Sequence, residues 1–101
     1  MIRHIVLFRW KEGTTPEQIA AALTGLRALP AQIPQIRAYV VGADIGGMDG
    51  HWDVAVTGDF DDLAAFRAYF DHPAHQAVVH ERILPIREAR AVLQVDLDQR
   101  G

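Results

Sequence analysis

The chain has 101 residues, of which 50% are hydrophobic and 23% are charged, and this composition fits one globular domain. Ten Lys and Arg against thirteen Asp and Glu give a net charge of −3, so neither a nucleic acid nor an anionic membrane, which both require a basic surface, is expected as a partner. The absence of cysteine excludes disulfides, thiolate metal ligands and a cysteine nucleophile. The apolar run near the start is interrupted by His4 and Arg9 and is too short to span a bilayer, so we expect a single cytoplasmic domain over residues 1–101.

The first half of the chain predicts a strand, a helix and a second strand. Residues 2–10 alternate between two faces and are rich in β-branched and aromatic side chains, as in a strand. The segment Thr15–Gln18 has the residue types of a capping box with proline at the first helical position. It predicts a helix that begins at Pro16 and ends before Pro30. A second alternating segment predicts a strand over residues 35–44.

The second half predicts a strand, a broken helical region and a last strand. A glycine-rich connection over residues 46–50 leads to a third strand over residues 52–60. Asp61 is the predicted N-cap of the helix that follows. Proline restarts the helical region over residues 73–84, and a final strand is predicted over residues 88–97.

This β-α-β-β-α-β order predicts an α+β, ferredoxin-like fold with a four-stranded antiparallel sheet. Two helical regions cover only one face of such a sheet. Apolar residues are nevertheless predicted on the second face as well, namely Ile5, Leu7, Tyr39, Val41 and Val92. A homodimer through this face is therefore expected. The alternative is an open face on which scattered apolar residues require no partner.

Histidines and a tyrosine supply the candidate chemistry. His72, His75 and His80 surround the predicted helix break, and His4 lies on the first strand. Histidine is the usual general acid or base near neutral pH, and a tyrosine such as Tyr69 stabilises a developing oxyanion by donating a hydrogen bond. Each residue also has a structural explanation, in which His72 only caps a helix while Tyr69 and His4 are hydrogen-bonded core residues.

Metal and phosphate sites are not expected. The spacing of His72, His75 and His80 does not give the i, i+4 histidine pair of a zinc helix. The glycines of residues 42–50 lack the lysine and the following helix of a phosphate-binding loop.

Three segments resemble the stress-responsive dimeric A/B barrel (Dabb) family: Tyr69–Val79, Ile2–Lys11 and Leu84–Arg87. The similarity extends over nearly the whole chain. It implies a ferredoxin-like domain that dimerises through its sheets into an α/β barrel, which agrees with the apolar second face.

The resemblance also implies roles for single residues. A plant polyketide cyclase of this family uses a tyrosine and a histidine that match Tyr69 and His75, and an early histidine that matches His4. By this similarity His75 would be the general base, Tyr69 would stabilise the oxyanion and His4 would orient the substrate or tune His75, without a cofactor. A small apolar or aromatic ligand would then bind between sheet and helices, against Val6, Phe8, Phe66, Phe70 and His72. The alternatives are a non-enzymatic stress-response or ligand-binding dimer without a cavity for an aromatic ring, and a cofactor-free monooxygenase.

Overall fold

The computed structural model describes residues 1–98 of the protein, so the end of the domain predicted over residues 1–101 lies outside the described residues. None of the helices in this part of the chain has the length and apolar character that a membrane span requires. The elements are β1 (Ile2–Trp10), α1 (Pro16–Arg27), a 3-10 turn (Leu29–Ala31), β2 (Ala38–Ala43), β3 (Val54–Phe60), α2 (Leu63–Asp71), α3 (Pro73–Val78), a π-helical turn (Val79–Ile83) and β4 (Arg87–Asp96).

The four strands form one antiparallel sheet in the order β2-β3-β1-β4. The predicted ferredoxin-like, α+β fold is therefore confirmed. The helices cover one face of the sheet, which we call the helix face, and the core lies between them. Its largest fully buried side chains are Phe60, Leu29, Ile33 and Ile83.

The start of α1 follows the predicted capping box. The Thr15 hydroxyl accepts a hydrogen bond from the backbone N–H of Gln18 at 3.1 Å, and the Gln18 side chain accepts one from the Thr15 N–H at 2.9 Å. Pro16 occupies the first helical position. These contacts satisfy donors that the first turn leaves unpaired, and α1 ends at Arg27, before Pro30 as predicted.

The cap of α2 is Asp62, and the prediction of Asp61 is wrong by one residue. The Asp62 carboxylate accepts a hydrogen bond from the Ala65 N–H at 2.8 Å. Asp61 instead forms a two-point ion pair with Arg37, at 2.9 and 3.0 Å. Both aspartates can cap by residue type, but only the Asp62 carboxylate accepts a hydrogen bond from the first turn of α2.

Two of the strands begin later than predicted, and the last is shifted by one residue. Residues 35–37 precede β2, and residues 52–53 precede β3. The Asp53 N–H donates a hydrogen bond to the Phe8 carbonyl oxygen at 2.9 Å, and its side chain accepts one from the Trp10 N–H at 2.7 Å. β4 covers residues 87–96 instead of 88–97.

The assignment of Tyr39, Val41 and Val92 to the second face is wrong. Val6 of the helix face lies opposite Val56 on one side and Val92 on the other, and Val56 lies opposite Val41. Directly opposed residues of an antiparallel pair point to the same face, so Val41, Val92 and Tyr39, two residues before Val41, belong to the helix face. Alternation reveals two rows in a strand, but only the pairing register shows which row meets the helices.

The second face is nonetheless partly apolar. Ile5 and Leu7 lie on it as predicted, and the register adds Val40 and Leu93, whose exposed fractions are 62% and 59%. We call this surface the open face. No helix of residues 1–98 covers it.

Candidate functional site

A cavity of about 260 Å³ lies between the helix face of the sheet and the helical segment that follows Pro73. Six of the eight side chains predicted for the site line it: His4, Val6, Phe8, Tyr69, Phe70 and His75. The fold therefore brings residues from the first strand together with residues more than sixty positions later.

Phe66 and His72 do not belong to the lining. Phe66 packs against the His4 ring, with ring centroids 4.6 Å apart. His72 has extended backbone before Pro73, and its Nδ1 accepts a hydrogen bond from the Ala74 N–H at 3.0 Å. His72 is thus the N-cap of α3, which is the structural role considered above for this residue.

His75 is a buried imidazole with one nitrogen held by the backbone. It is 8% exposed, and its Nδ1 lies 2.9 Å from the carbonyl oxygen of Phe70. A carbonyl oxygen can only accept, so Nδ1 carries the proton and Nε2 keeps its lone pair when the ring is neutral. Burial lowers the pKa of His75 from 6.5, against the opposing effect of the Phe70 carbonyl. The neutral, basic form therefore prevails at pH 7.

Tyr69 lies beside His75 and is hydrogen-bonded to a second tyrosine. The Tyr69 and His75 rings have centroids 4.4 Å apart, and the Tyr69 hydroxyl lies 2.8 Å from the hydroxyl of Tyr39. Burial raises the pKa of Tyr69 to about 12, and the hydrogen bond with Tyr39 opposes that rise. The pKa of Tyr39 is raised further, chiefly by burial. When Tyr39 donates to Tyr69, the Tyr69 proton is left to donate to a bound oxygen atom.

His4 is oriented by β4. Its Nδ1 lies 3.0 Å from the side-chain oxygen of Gln94, which accepts a hydrogen bond from Nδ1–H and leaves Nε2 as the basic atom. Burial is the main cause of a lowered pKa of His4, and positive charge on His75 or Arg90 acts in the same direction. The site thus holds two histidines that are predominantly neutral at pH 7.

The sequence did not identify four residues of this site: Tyr39, Gln94, Arg87 and Arg90. Tyr39 was assigned to the wrong face. Gln94 alternates with apolar neighbours and carries no motif. Arg87 and Arg90 both line the cavity, although strict alternation places residues three apart on opposite faces.

Within residues 1–98, no three His, Asp or Glu side chains are arranged to hold a metal ion. The polar groups in the cavity lining are imidazole, phenol, guanidinium and the carboxamide of Gln76. Such groups transfer protons, donate hydrogen bonds to oxyanions and bind anions.

Comparison with known proteins gives a family and a set of similar folds. The profile of the Stress responsive A/B Barrel Domain matches residues 2–97. An uncharacterised protein of Streptomyces coelicolor is 36% identical over 81 residues, which cover 78% of this chain and 84% of that protein.

Two solved structures illustrate the fold similarity. A dimeric ferredoxin-like protein of unknown function from Thermobifida fusca is 45% identical, with a TM-score of 0.88 over 95% of this chain and 90% of that one. A hydroxynitrile lyase from Passiflora edulis is 23% identical, with a TM-score of 0.85 over 99% of this chain and 95% of that one. At that identity the second likeness concerns the fold alone.

Proposed function

The chain belongs to the stress responsive A/B barrel domain family, and we propose that it is a homodimeric, cofactor-independent acid/base catalyst acting on a small apolar or aromatic substrate. The substrate would bind in the cavity of about 260 Å³. For comparison, an apolar cavity of about 150 Å³ is known to hold benzene. The non-enzymatic alternative predicts no cavity large enough for an aromatic ring, and the presence of this cavity argues against that prediction.

The observation that carries the proposal is the state of His75. Its Nδ1 is held by the Phe70 carbonyl, while Nε2 has no hydrogen-bond partner within residues 1–98. Burial keeps the ring neutral, so a base is available inside a largely apolar cavity without a cofactor to activate it. The same burial limits competition from water.

The proposed reaction is an aldol-type cyclisation. His75 Nε2 removes a proton from the carbon next to a substrate carbonyl, and the C–H electron pair becomes an enolate. Tyr69 donates a hydrogen bond to the enolate oxygen. The enolate carbon then attacks a second carbonyl of the same molecule, forming the C–C bond, and protonated His75 returns the proton to the new alkoxide. His4 orients the substrate from the strand side.

Incubation with a linear poly-β-keto thioester, followed by detection of the cyclised product, tests this reaction. We expect His75→Ala to lower the rate by about 10²–10⁴-fold and Tyr69→Phe by about 10²–10³-fold. His51→Ala is the matched control, because His51 pairs with Asp44 in the β2–β3 connection and lies outside the cavity lining. Unchanged activity in His75→Ala would falsify the assignment, whereas binding without turnover in the unmodified protein would favour the non-enzymatic alternative.

The homodimer is proposed to form through the open face. Val40 and Leu93 are exposed there, and a shallow depression of about 400 Å³ that includes Leu7 and Trp52 lies toward the β2–β3 connection. The similar protein from Thermobifida fusca is described as dimeric. Covering these side chains with a second sheet removes apolar surface from water.

Mass photometry and gel filtration test this arrangement. We expect a dimer at micromolar concentration, and Leu93→Glu is expected to give a folded monomer because it introduces a charge into an apolar interface. Leu63→Glu is the control, since Leu63 is 63% exposed on α2, away from the sheet. A strictly monomeric unmodified protein would refute the dimer.

A further inference from the structure

Two arginines in the cavity wall have no hydrogen-bond, ion-pair or aromatic partner among residues 1–98. Residues 1–98 contain eight arginines, and six of them contact a carboxylate, a backbone carbonyl oxygen or an aromatic ring: Arg3, Arg9, Arg27, Arg37, Arg67 and Arg82. The remaining two are Arg87 and Arg90, which have no such contact within the described residues. Both line the cavity.

A bulge in β4 places both guanidinium groups on the same side. Arg9 lies opposite Ala89, but Trp10 lies opposite Arg87, so Glu88 is an extra residue without a counterpart in β1. Without this extra residue, Arg87 and Arg90 would point to opposite faces of the sheet. β-Bulges commonly redirect a side chain beside an active site, and here the bulge adds a second cation to the cavity wall.

The charge around the cavity is opposite in sign to that of the whole chain. The protein carries a net charge of −3, yet the lining contains both arginines and three histidines and no Asp or Glu. Burial, followed by repulsion from Arg90, lowers the pKa of Arg87. Two adjacent cations at a partly apolar wall are unfavourable in the absence of an anion, and guanidinium groups bind carboxylates through paired hydrogen bonds.

We propose that Arg87 and Arg90 bind a carboxylate of the ligand, so that the substrates of this site are small carboxylic acids with an aromatic or apolar body. The carboxylate lies at the β4 end of the cavity, near His4, and the body extends toward Tyr69 and His75. The proposal rests on the cavity being the ligand site of the proposed function, but it does not depend on His75 acting as a base. Both arginines lie on the helix face, opposite the proposed dimer surface.

Benzoate and benzamide form a matched pair of probes, because they share a ring and a planar head group but differ in charge. Each probe is titrated into the full-length protein, and binding is monitored by the change in NMR chemical shifts. We expect benzoate to bind more tightly than benzamide, and Arg87→Gln and Arg90→Gln each to weaken benzoate binding by about 10-fold or more while changing benzamide binding little. Arg27→Gln changes the net charge equally from outside the cavity lining and is expected to leave both affinities unchanged.

Equal affinities for the two probes, no binding of benzoate at millimolar concentration, or unchanged benzoate affinity in both glutamine variants would overturn the proposal. If a glutamine variant does not fold, Arg87→Lys and Arg90→Lys replace it. These variants keep the charge but lose the two-point geometry, so benzoate binding is expected to weaken less than tenfold while still exceeding benzamide binding.

The failure of this proposal can be told apart from that of the catalytic one. If benzoate binding depends on the arginines but the protein has no cyclase activity, the proposed anion site is supported and the proposed catalysis is refuted. If turnover depends on His75 but the protein binds benzoate and benzamide equally, the proposed catalysis is supported and the proposed anion site is refuted.

Discussion

Removal of the Tyr39 hydroxyl tests the central hydrogen bond of the site without knowledge of the substrate. In Tyr39→Phe the ring stays in place on β2, and only the oxygen that lies 2.8 Å from the Tyr69 hydroxyl is lost. Tyr69 is 4% exposed, so water replaces the missing partner poorly.

The expected magnitude follows from this burial. A hydrogen bond between neutral groups contributes about 0.5–1.5 kcal/mol, and a buried hydroxyl that loses its partner raises the cost toward about 1–3 kcal/mol. We expect Tyr39→Phe to lower the free energy of unfolding by about 1–2 kcal/mol. For a domain of about 100 residues, each 1 kcal/mol corresponds to a fall in Tm of roughly 4–8 °C.

A double-mutant cycle measured by urea unfolding isolates the pair. Tyr39→Phe, Tyr69→Phe and the double variant are compared, and we expect a coupling energy of about 0.5–1.5 kcal/mol. Ile86→Val combined with Tyr69→Phe is the control. Ile86 is buried just before β4 and lies outside the cavity lining that contains Tyr69, so the two effects are expected to add. Additive effects of Tyr39→Phe and Tyr69→Phe would refute the hydrogen bond.

Three further predictions concern stability. The first concerns pH: burial lowers the pKa values of His4 and His75 below 6.5, so the unfolded chain binds more protons than the folded one. The stability that the protein has above pH 6.5 is therefore expected to fall as the pH drops through the folded pKa values. Urea unfolding at pH 7.5 and 5.5 measures this loss, and equal stabilities at the two pH values would contradict it. The Asp59 side chain is 10% exposed and accepts hydrogen bonds from Arg3 at 2.7 and 3.0 Å. Asp59→Asn is expected to lower the free energy of unfolding by about 1–2 kcal/mol at pH 7. That ion pair lowers the carboxyl pKa below 3.8, so the difference from the unmodified protein should shrink as the pH falls through the folded value. Asp62→Ala is expected to lower stability by about 0.5–2 kcal/mol through loss of the α2 cap, as measured by thermal unfolding. Hydrogen exchange at the N-terminus of α2 compares Asp62→Ala with Asp61→Ala, and an equal loss of protection in both variants would show that the cap was misassigned.

The elements and the principal site residues were predictable because their signals are local or match a known family. The cap of α1 depends on residues three positions apart, and the break at Pro73 depends on one ring, so both are encoded in short segments. Tyr69, His75 and His4 were selected by residue type and resemblance, and the fold places all three in one cavity wall. That they act in catalysis remains a prediction.

What the sequence by itself determined is a ferredoxin-like α+β domain with apolar residues on both faces of its sheet. Only the tertiary structure decided which row of each strand meets the helices, and it moved Tyr39, Val41 and Val92 from the open face to the helix face. It also decided that the bulge at Glu88 turns Arg87 into the cavity. The physical reason is shared: alternation arises within a strand, whereas the register arises from pairing between strands distant in sequence, and a single unpaired residue reverses every orientation beyond it.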